Sequence, residues 1–378
     1  MARAAAGTDS SASVGRRGAP LLTCDVTTST HVSSPPDADG GRRTRGPDGV
    51  AWTLGIWLVV AVFAVVTAIW SHHVGVPLRD PSGKMFRGRL TSAVVLLAIL
   101  SVLEATWRSW RAGRSWRSLR RMPAAWRERW TYQRIVLAVS GLVAYHAVYI
   151  CYRNLKSWDA FNTPRDASML RFDRWLFGGH SPAVLLHDLL GTHAAAYVLE
   201  GAYRAFTYLV PLSVVGALVL VPRIRKGYVF LAASMWVWVL GICSYYLIPT
   251  LGPFASAPRE FRSLPETASI VAQHEYLAER AHLLADRAAP DAFASISAFA
   301  SLHVGFTAMV LFMAVYYRQK WLSRVLTAYL LLVMAATVYL GWHFVSDVAA
   351  GLVLAALAVL LGHFTVYPRG RRSGMPTG

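Results

Sequence analysis

Charged residues are scarce in this sequence, and acidic residues are the scarcest. Only 15% of its 378 residues are charged, with 20 acidic residues against 38 lysines and arginines. Hydrophobic residues make up 55% of the chain and the mean hydropathy is +0.39, values typical of polytopic membrane proteins. We therefore predict an integral membrane protein that has the lipid bilayer as a partner.

Cysteine is also rare, and the usual metal-binding strings are missing. The three cysteines lack the spacing of metal ligands, and neither HExxH nor CxxC occurs. We predict no metal and no other cofactor. The alternative is a zinc or haem site that uses histidine and aspartate near the end of the chain.

Basic residues are abundant, since the formal net charge is +18. This charge alone would suit a nucleic-acid-binding protein. The arginines, however, cluster in short segments between apolar runs, as the positive-inside rule requires of a membrane protein. We therefore predict no nucleic-acid partner.

Eight apolar runs are candidates for membrane-spanning helices. They cover about residues 50–70, 90–106, 135–152, 203–221, 228–248, 302–317, 324–341 and 347–363. The predicted fold class is accordingly an all-α polytopic membrane protein of about eight spans.

Composition divides the chain into five segments. We predict a disordered cytoplasmic tail (1–49), two N-terminal transmembrane helices (50–106), a basic cytoplasmic loop (107–134), a second transmembrane domain (135–365) and a basic cytoplasmic tail (366–378). With eight helices, the five arginine-rich segments lie on one side of the membrane, so both termini are predicted to be cytoplasmic.

Three connecting segments leave questions open. The loop 71–89 falls on the outer side yet carries four basic residues, against the rule. The basic segment 107–134 is interpreted as a topology determinant, with a surface helix that binds anionic lipid as the alternative. Residues 266–289 have the pattern of an interfacial helix, which serves either as a lid over a site or as a plain connector.

The string "GWHFVSDVAAG" (341–351) places His343 and Asp347 at the start of an apolar run. An aspartate at the centre of a spanning helix costs about 2.5–3.5 kcal/mol, so such a residue indicates function by default. Four positions apart on a helix, the two side chains share a face with about 5–6 Å between Cβ atoms. The alternative is that Asp347 only caps the helix.

Other polar residues are predicted to lie on the same membrane face. His303 stands at the outer start of another span, and Arg153 and Lys156 stand at the outer end of a third. These residue types suit phosphoryl transfer, in which one imidazole attacks phosphorus and another protonates the leaving oxygen. Cations neutralise the phosphoryl oxygens.

These motifs also carry a family resemblance. "SLHVG" (301–305) followed by "GWHFVSDVAAG" resembles the second and third signature motifs of the type 2 phosphatidic acid phosphatase superfamily. "SAFASLH", "YYLIPTLGPF" and "YLGWHFVSDVAAG" are similar to its inositolphosphotransferase (inositol phosphorylceramide synthase-like) branch. The resemblance covers roughly residues 135–365.

The resemblance implies a fold, an activity and a set of site residues. It implies a six-helix phosphatase-type transmembrane core, here with two extra N-terminal helices, and a cofactor-free enzyme that acts on a lipid phosphate at the extracytoplasmic face of the cell membrane. It makes His343 the nucleophile of a phosphohistidine intermediate, Asp347 its orienting carboxylate and His303 the general acid. It assigns phosphate binding to Ser301 and the adjacent backbone.

Two expected phosphate-binding cations are missing from the motifs. The first signature, a lysine followed after six residues by Arg-Pro, does not occur, and Arg259 in "SAPREF" occupies the comparable place. The third signature has Ser-Arg where this chain has Ala336 and Thr337. Arg153 and Lys156 are the predicted substitutes, with interfacial snorkelling as the alternative reason for their position.

A function of another class uses the same residues. A lipid transporter, or a membrane protein that binds lipid phosphate without chemistry, also needs a polar cluster at the outer face. Transporters usually have inverted repeats with matching broken helices, and no such symmetry is found in this sequence. The sequence therefore favours the enzyme.

Overall fold

The computed structural model describes residues 50–80 and 83–368, so the predicted tail 1–49 and nearly all of the tail 366–378 lie outside the described residues. Within those ranges the chain is α-helical and has no β-strand. The α-helices are α1 Leu54–Val74, α2 Arg89–Gly113, α3 Met122–Arg129, α4 Tyr132–Trp158, α5 Asp166–Leu176, α6 Pro182–Leu190, α7 Ala194–Leu220, α8 Ile224–Leu247, α9 Pro253–Ser256, α10 Ala268–Ala285, α11 Leu302–Tyr316, α12 Lys320–Tyr339 and α13 Val345–Val366.

Every predicted apolar run is a helix. Among the described residues, seven helices are long and apolar enough to cross a membrane, namely α1, α2, α4, α7, α8, α12 and α13. The remaining run is α11, which has 15 residues and is therefore about 22 Å long at 1.5 Å per residue. Most of α11 is buried among the other helices. The predicted polytopic all-α fold of about eight spans is confirmed.

The centre of the bundle is formed by α8, α11 and α13, which pack on one another. Glycine makes the α11–α13 contact unusually close. A Cβ atom on Gly351 would lie 2.6 Å from the carbonyl oxygen of Ser301, and one on Gly305 would lie 3.3 Å from the carbonyl oxygen of Gly351. Small residues allow backbones to approach in this way in membrane proteins. The two helices that carry the histidine motifs are therefore in direct backbone contact.

Arginines close one end of the bundle. Arg134 donates to the carbonyl oxygens of Leu218 (2.9 Å) and Pro222 (2.8 Å) at the end of α7. Arg225 donates to the carbonyl oxygen of Val366 (3.0 Å) at the end of α13. Cations at helix C-termini compensate the negative end of the helix dipole and the unpaired carbonyl groups. These arginine-rich segments therefore pair the carbonyl groups at helix ends, in addition to their predicted role in setting the membrane topology.

The segment 107–134 is largely helical. α2 continues to Gly113, a 3-10 helix covers Trp116–Arg121, and α3 follows. Glu104 pairs with Arg108 (2.8 Å) and with Arg129 (3.5 Å), which ties α2 to the end of α3.

The opposite end of the bundle carries the short helices. Within the predicted interfacial segment 266–289, α10 covers Ala268–Ala285. α6 begins at Pro182 with Ser181 at the N-cap position, a combination that is common at helix starts. The Ser181 hydroxyl does not cap the helix, however, because it donates to Glu260 instead (2.6 Å).

The segment 292–301 crosses this end without forming a helix, although nearly all of it is buried. Its amides donate to groups on three elements: Ala294 to the Ser157 hydroxyl (2.9 Å), Ala298 to the Thr250 carbonyl (2.8 Å) and Ala300 to the Ser244 hydroxyl (3.0 Å). Irregular backbone at membrane depth requires this internal pairing.

The loop 71–89, which breaks the positive-inside pattern, uses one of its cations internally. The Arg79 guanidinium donates to the carbonyl oxygens of Arg287 and Ala292, and its amide donates to the Asn154 side chain (2.8 Å). Arg79 therefore joins the loop to α4 and to the segment that leads into α11.

We expect Gly351→Ala to destabilise the protein because the new Cβ would meet the Ser301 carbonyl oxygen at 2.6 Å. Overpacking of this kind costs about 1–3 kcal/mol, so the thermal unfolding midpoint in detergent should fall. The matched control is Gly201→Ala on α7, where a Cβ meets no atom within 4 Å. An unchanged midpoint for Gly351→Ala would contradict the close α11–α13 contact.

Candidate active site

A cavity of about 380 Å³ lies where α4 ends and where α11 and α13 begin. Four of the seven predicted site residues line it: His303, His343, Arg153 and Lys156. They come from α11, from the turn before α13 and from the last turns of α4. The structure therefore brings together residues that are almost 200 positions apart in the chain.

His343 and Asp347 form the predicted pair. The His343 Nδ1 lies 3.3 Å from Oδ2 of Asp347, and both side chains are buried. The same Oδ2 accepts the amide of Phe344 (3.0 Å) at the start of α13. Asp347 thus caps its helix and also contacts His343. The sequence offered these two roles as alternatives, and the structure contains both.

The protonation of His343 follows from its surroundings. His343 lies in the turn between α12 and α13, and burial, followed by the nearby Lys156 ammonium group, lowers its pKa. The imidazole is therefore neutral. A neutral imidazole that donates its Nδ1–H to this carboxylate carries its lone pair on Nε2, which is the form that a nucleophile needs.

The turn that carries His343 is fixed by neighbours from outside the motif. The His343 amide donates to the Thr337 carbonyl (3.1 Å). Asp173 of α5 accepts the amides of Val345 (2.6 Å) and Ser346 (3.2 Å), and so caps α13 from another helix. Asp173 was not among the predicted site residues, because a single aspartate in a polar segment carries no distinguishing pattern.

His303 faces His343 across the cavity. The two ring centroids are 6.1 Å apart. The His303 ring lies between Tyr203 (4.3 Å) and Phe206 (4.4 Å) of α7, which hold its plane. Both imidazoles line the same cavity, so one bound group can contact both of them.

Ser301 has a different position from the one the resemblance implied. Its side chain is fully buried and accepts the amide of Val304 (3.4 Å), as a helix N-cap does. It does not contribute to the cavity lining, whereas Leu302 and His303 do. Its amide donates to the Asp347 carbonyl (3.0 Å), so Ser301 connects the two histidine motifs.

The predicted cations separate into two groups. Arg153 and Lys156 are half-buried and line the cavity; Arg153 donates to the Ser295 hydroxyl (3.2 Å), and the Lys156 ammonium lies 5.5 Å from the Tyr245 ring centroid. Arg259 lies exposed on the 3-10 helix Pro258–Phe261 and does not line the cavity. The structure therefore brings two of the three predicted cations to the histidines.

Two ionisable residues of α7 were missed. Arg204 and Glu200 both line the cavity, and the Glu200 carboxylate is buried. Its Oε1 accepts the amide of Ser269 (3.1 Å), while Oε2 has no hydrogen-bond partner among the described residues. The predicted run began at 203, whereas α7 begins at Ala194. With the right boundary, the rule for ionisable residues in spanning helices would have identified both.

α10 closes one side of the cavity. Ala268, Ser269, Ala272 and Tyr276 belong to the lining, and Gln273 donates to the Leu340 carbonyl (2.7 Å). The predicted interfacial helix is therefore part of the site wall rather than a plain connector.

The arrangement combines a neutral imidazole held by a carboxylate, a second imidazole across the cavity, and three cations. Across the residues that the structure describes, no group of three or more histidine, cysteine or acidic side chains is arranged to hold a metal ion. These groups are suited to attack on an anionic tetrahedral centre and to proton transfer there.

Comparison with known proteins gives one match. The model of the PAP2 superfamily matches residues 167–361, just over half of the chain. This range contains both histidine motifs and runs from α5 almost to the end of α13, but it does not resolve a branch of the superfamily. The chain matches none of the curated proteins and none of the solved structures with which it was compared. On the two histidine motifs and this match, the chain belongs to the PAP2 superfamily, the type 2 phosphatidic acid phosphatases.

Proposed function

We propose that this protein transfers the phosphoryl group of a lipid-linked phosphate ester through a phosphohistidine on His343. The observation that carries the proposal is the pair of imidazoles 6.1 Å apart in a cavity that Arg153 and Lys156 also line. A non-catalytic lipid-binding protein would also need the cations. It would have no use for a histidine held by a carboxylate and placed opposite a second histidine.

In the first step, Nε2 of His343 attacks phosphorus. The N–P bond forms as the P–O bond to the lipid breaks, and His303, in its protonated form, gives its proton to the leaving oxygen. Asp347 holds the Nδ1 proton and stabilises the positive charge that develops on the His343 ring. Arg153, Lys156 and Arg204 neutralise the phosphoryl oxygens, where most of the catalytic effect in phosphoryl transfer arises.

In the second step, His303 accepts a proton from the incoming hydroxyl group. The oxygen of that group attacks phosphorus, the N–P bond breaks, and His343 returns to its neutral form. Proton transfer of this kind typically contributes 10²–10⁴-fold to the rate.

The substrate is proposed to be a lipid because the cavity lies among spanning helices. The proposed location is the extracytoplasmic side of the cell membrane. The support is indirect: the cavity lies at the end of the bundle opposite the arginine-rich segments, and such segments are cytoplasmic by the positive-inside rule.

For the acceptor, we propose a polyol in addition to water, as in the inositolphosphotransferase branch that the motifs resemble. The supporting observation is Glu200, a buried carboxylate in the cavity wall whose Oε2 lacks a partner. A buried unpaired acceptor is costly, and the hydroxyl groups of a polyol would satisfy it.

We expect His343→Ala to abolish phosphate release from dioleoyl phosphatidic acid, because no other described group is placed as the nucleophile. His303→Ala should lower kcat by about 10²–10⁴-fold for this substrate. With p-nitrophenyl phosphate, whose leaving group needs no proton, His303→Ala should accumulate a phosphoenzyme that is stable to base and labile to acid.

The control is His274→Ala, because His274 is exposed on α10 and lies outside the cavity lining. Turnover that survives in purified His343→Ala would eliminate the proposed nucleophile, and a phosphoenzyme in that variant would place the intermediate elsewhere.

The phosphate-binding cations are tested by comparing two arginines. Arg153→Gln should lower kcat/KM by about 10²-fold, because it removes a cation from the phosphoryl oxygens. Arg259→Gln should have little effect, since Arg259 is exposed and outside the cavity. Steady-state kinetics with dioleoyl phosphatidic acid measure both, and the reverse order of effects would assign phosphate binding to Arg259.

The acceptor is tested with tritiated inositol and dioleoyl phosphatidic acid. We expect the wild type to form inositol phosphate beside inorganic phosphate. Glu200→Gln should reduce the inositol phosphate yield about tenfold, because one hydrogen bond to a charged acceptor contributes about 1.5–3 kcal/mol. The inorganic phosphate yield should change much less. If inorganic phosphate is the sole product at every inositol concentration, the protein is a hydrolase and the polyol proposal is wrong.

A further inference from the structure

A second cavity, of about 820 Å³, adjoins the first. α2, α4 and α7 form its walls. Most of its lining is apolar, with Leu96 and Ile99 on α2, Leu142 on α4, and Val210 and Val214 on α7. The mechanism proposed above makes no use of this cavity.

The two cavities share lining residues on α4 and α7. On α4, the first cavity is lined from Lys156 to Tyr149, and the second from Tyr149 to Leu142. On α7, Thr207 lies at the boundary in the same way, between the linings of the two cavities. Tyr149 and Thr207 therefore belong to both linings, so the two cavities are neighbours along these helices.

The sequence of α7 provides a reason for the gap between the helices. Pro211 lies within α7 and lines the second cavity. Because proline has no amide hydrogen and its ring displaces the carbonyl four residues earlier, it weakens the helix at Thr207. This weak point of α7 coincides with Thr207, which lines both cavities.

The dimensions of the second cavity fit one membrane leaflet. Its wall on α2 extends from Gly88 to Ile99, which at 1.5 Å per residue is about 16 Å. Half of a hydrocarbon core about 30 Å thick is about 15 Å.

The charge distribution fits an anionic amphiphile. Lys84 and Arg89 line the second cavity near the start of α2, and the Arg89 guanidinium lies 4.8 Å from the ring centroid of Tyr149. The positive groups thus lie at the end next to the catalytic cavity, and the apolar side chains continue from there along α2, α4 and α7.

We propose that the second cavity binds one hydrocarbon chain of the lipid substrate while its phosphate lies between the two histidines. This inference rests on the proposed function and adds a specificity determinant, namely selection for long-chain lipids. α2 and α4 precede the residues that match the PAP2 superfamily, so two of the three walls come from outside the family core.

The first test compares two double variants of α2. Val95→Trp/Ile99→Trp places bulky rings in the lining of the second cavity, whereas Val94→Trp/Val102→Trp places them at positions that are exposed, as Val95 and Ile99 are, but lie outside this lining. Initial rates are measured in detergent with dioleoyl and dihexanoyl phosphatidic acid. We expect the first variant to lose at least tenfold more kcat/KM for the long-chain than for the short-chain lipid, and the control to keep the wild-type ratio. An unchanged ratio in the first variant would overturn the proposal.

The second test does not depend on turnover. His343→Ala is irradiated with a phosphatidic acid that carries a diazirine at the end of one acyl chain, and the labelled peptides are identified by mass spectrometry. We expect label on residues 91–99, with loss of that label when Val95→Trp/Ile99→Trp is added. Label confined to residues outside the lining of the second cavity on α2, α4 and α7 would overturn the proposal. If the wild type hydrolyses neither lipid, the proposed function fails, and the labelling still decides whether the chain binds in this cavity.

Discussion

The Asp347 carboxyl group is the point on which the geometry of the site depends. Its Oδ2 accepts from the Phe344 amide and lies beside His343 Nδ1, and its backbone carbonyl accepts the Ser301 amide from the other motif. A buried carboxylate without partners is very unfavourable in an apolar environment, so these contacts are coupled. The bond from the Ser301 amide requires α11 and α13 to touch, which Gly351 permits because it lacks a Cβ atom.

The need to pair buried polar groups also determines which residues surround the irregular backbone near the site. A helix would satisfy its own amides, whereas the segment 292–301 must obtain partners from α4, from α8 and from the turn after α8. Asp173 performs the same task for the first amides of α13. Polar side chains that look unrelated in the sequence therefore share one role, which is to pair backbone groups at membrane depth.

The site combines a family core with elements from outside it. His303, His343 and Asp347 lie within the residues that match the PAP2 superfamily, while Arg153 and Lys156 lie on α4, before the match begins. The signature motifs of this chain thus lack the usual cations. Two other cations lie instead on α4, a helix that the family model does not include. The adjoining apolar cavity uses α4 and α2 in the same way.

The sequence by itself determined the features that depend on near neighbours in the chain. Apolar runs predicted the helices, because helical periodicity is local. The four-residue spacing of His343 and Asp347 predicted their contact, which is present although His343 lies in the turn before α13 and not on the helix. Only the tertiary structure decided which distant groups meet: Arg153 and Lys156 line the cavity and Arg259 does not, Ser301 caps a helix, and Asp173, Glu200 and Arg204 join the site. These placements depend on how helices pack and where loops return, and no local pattern of residues encodes them.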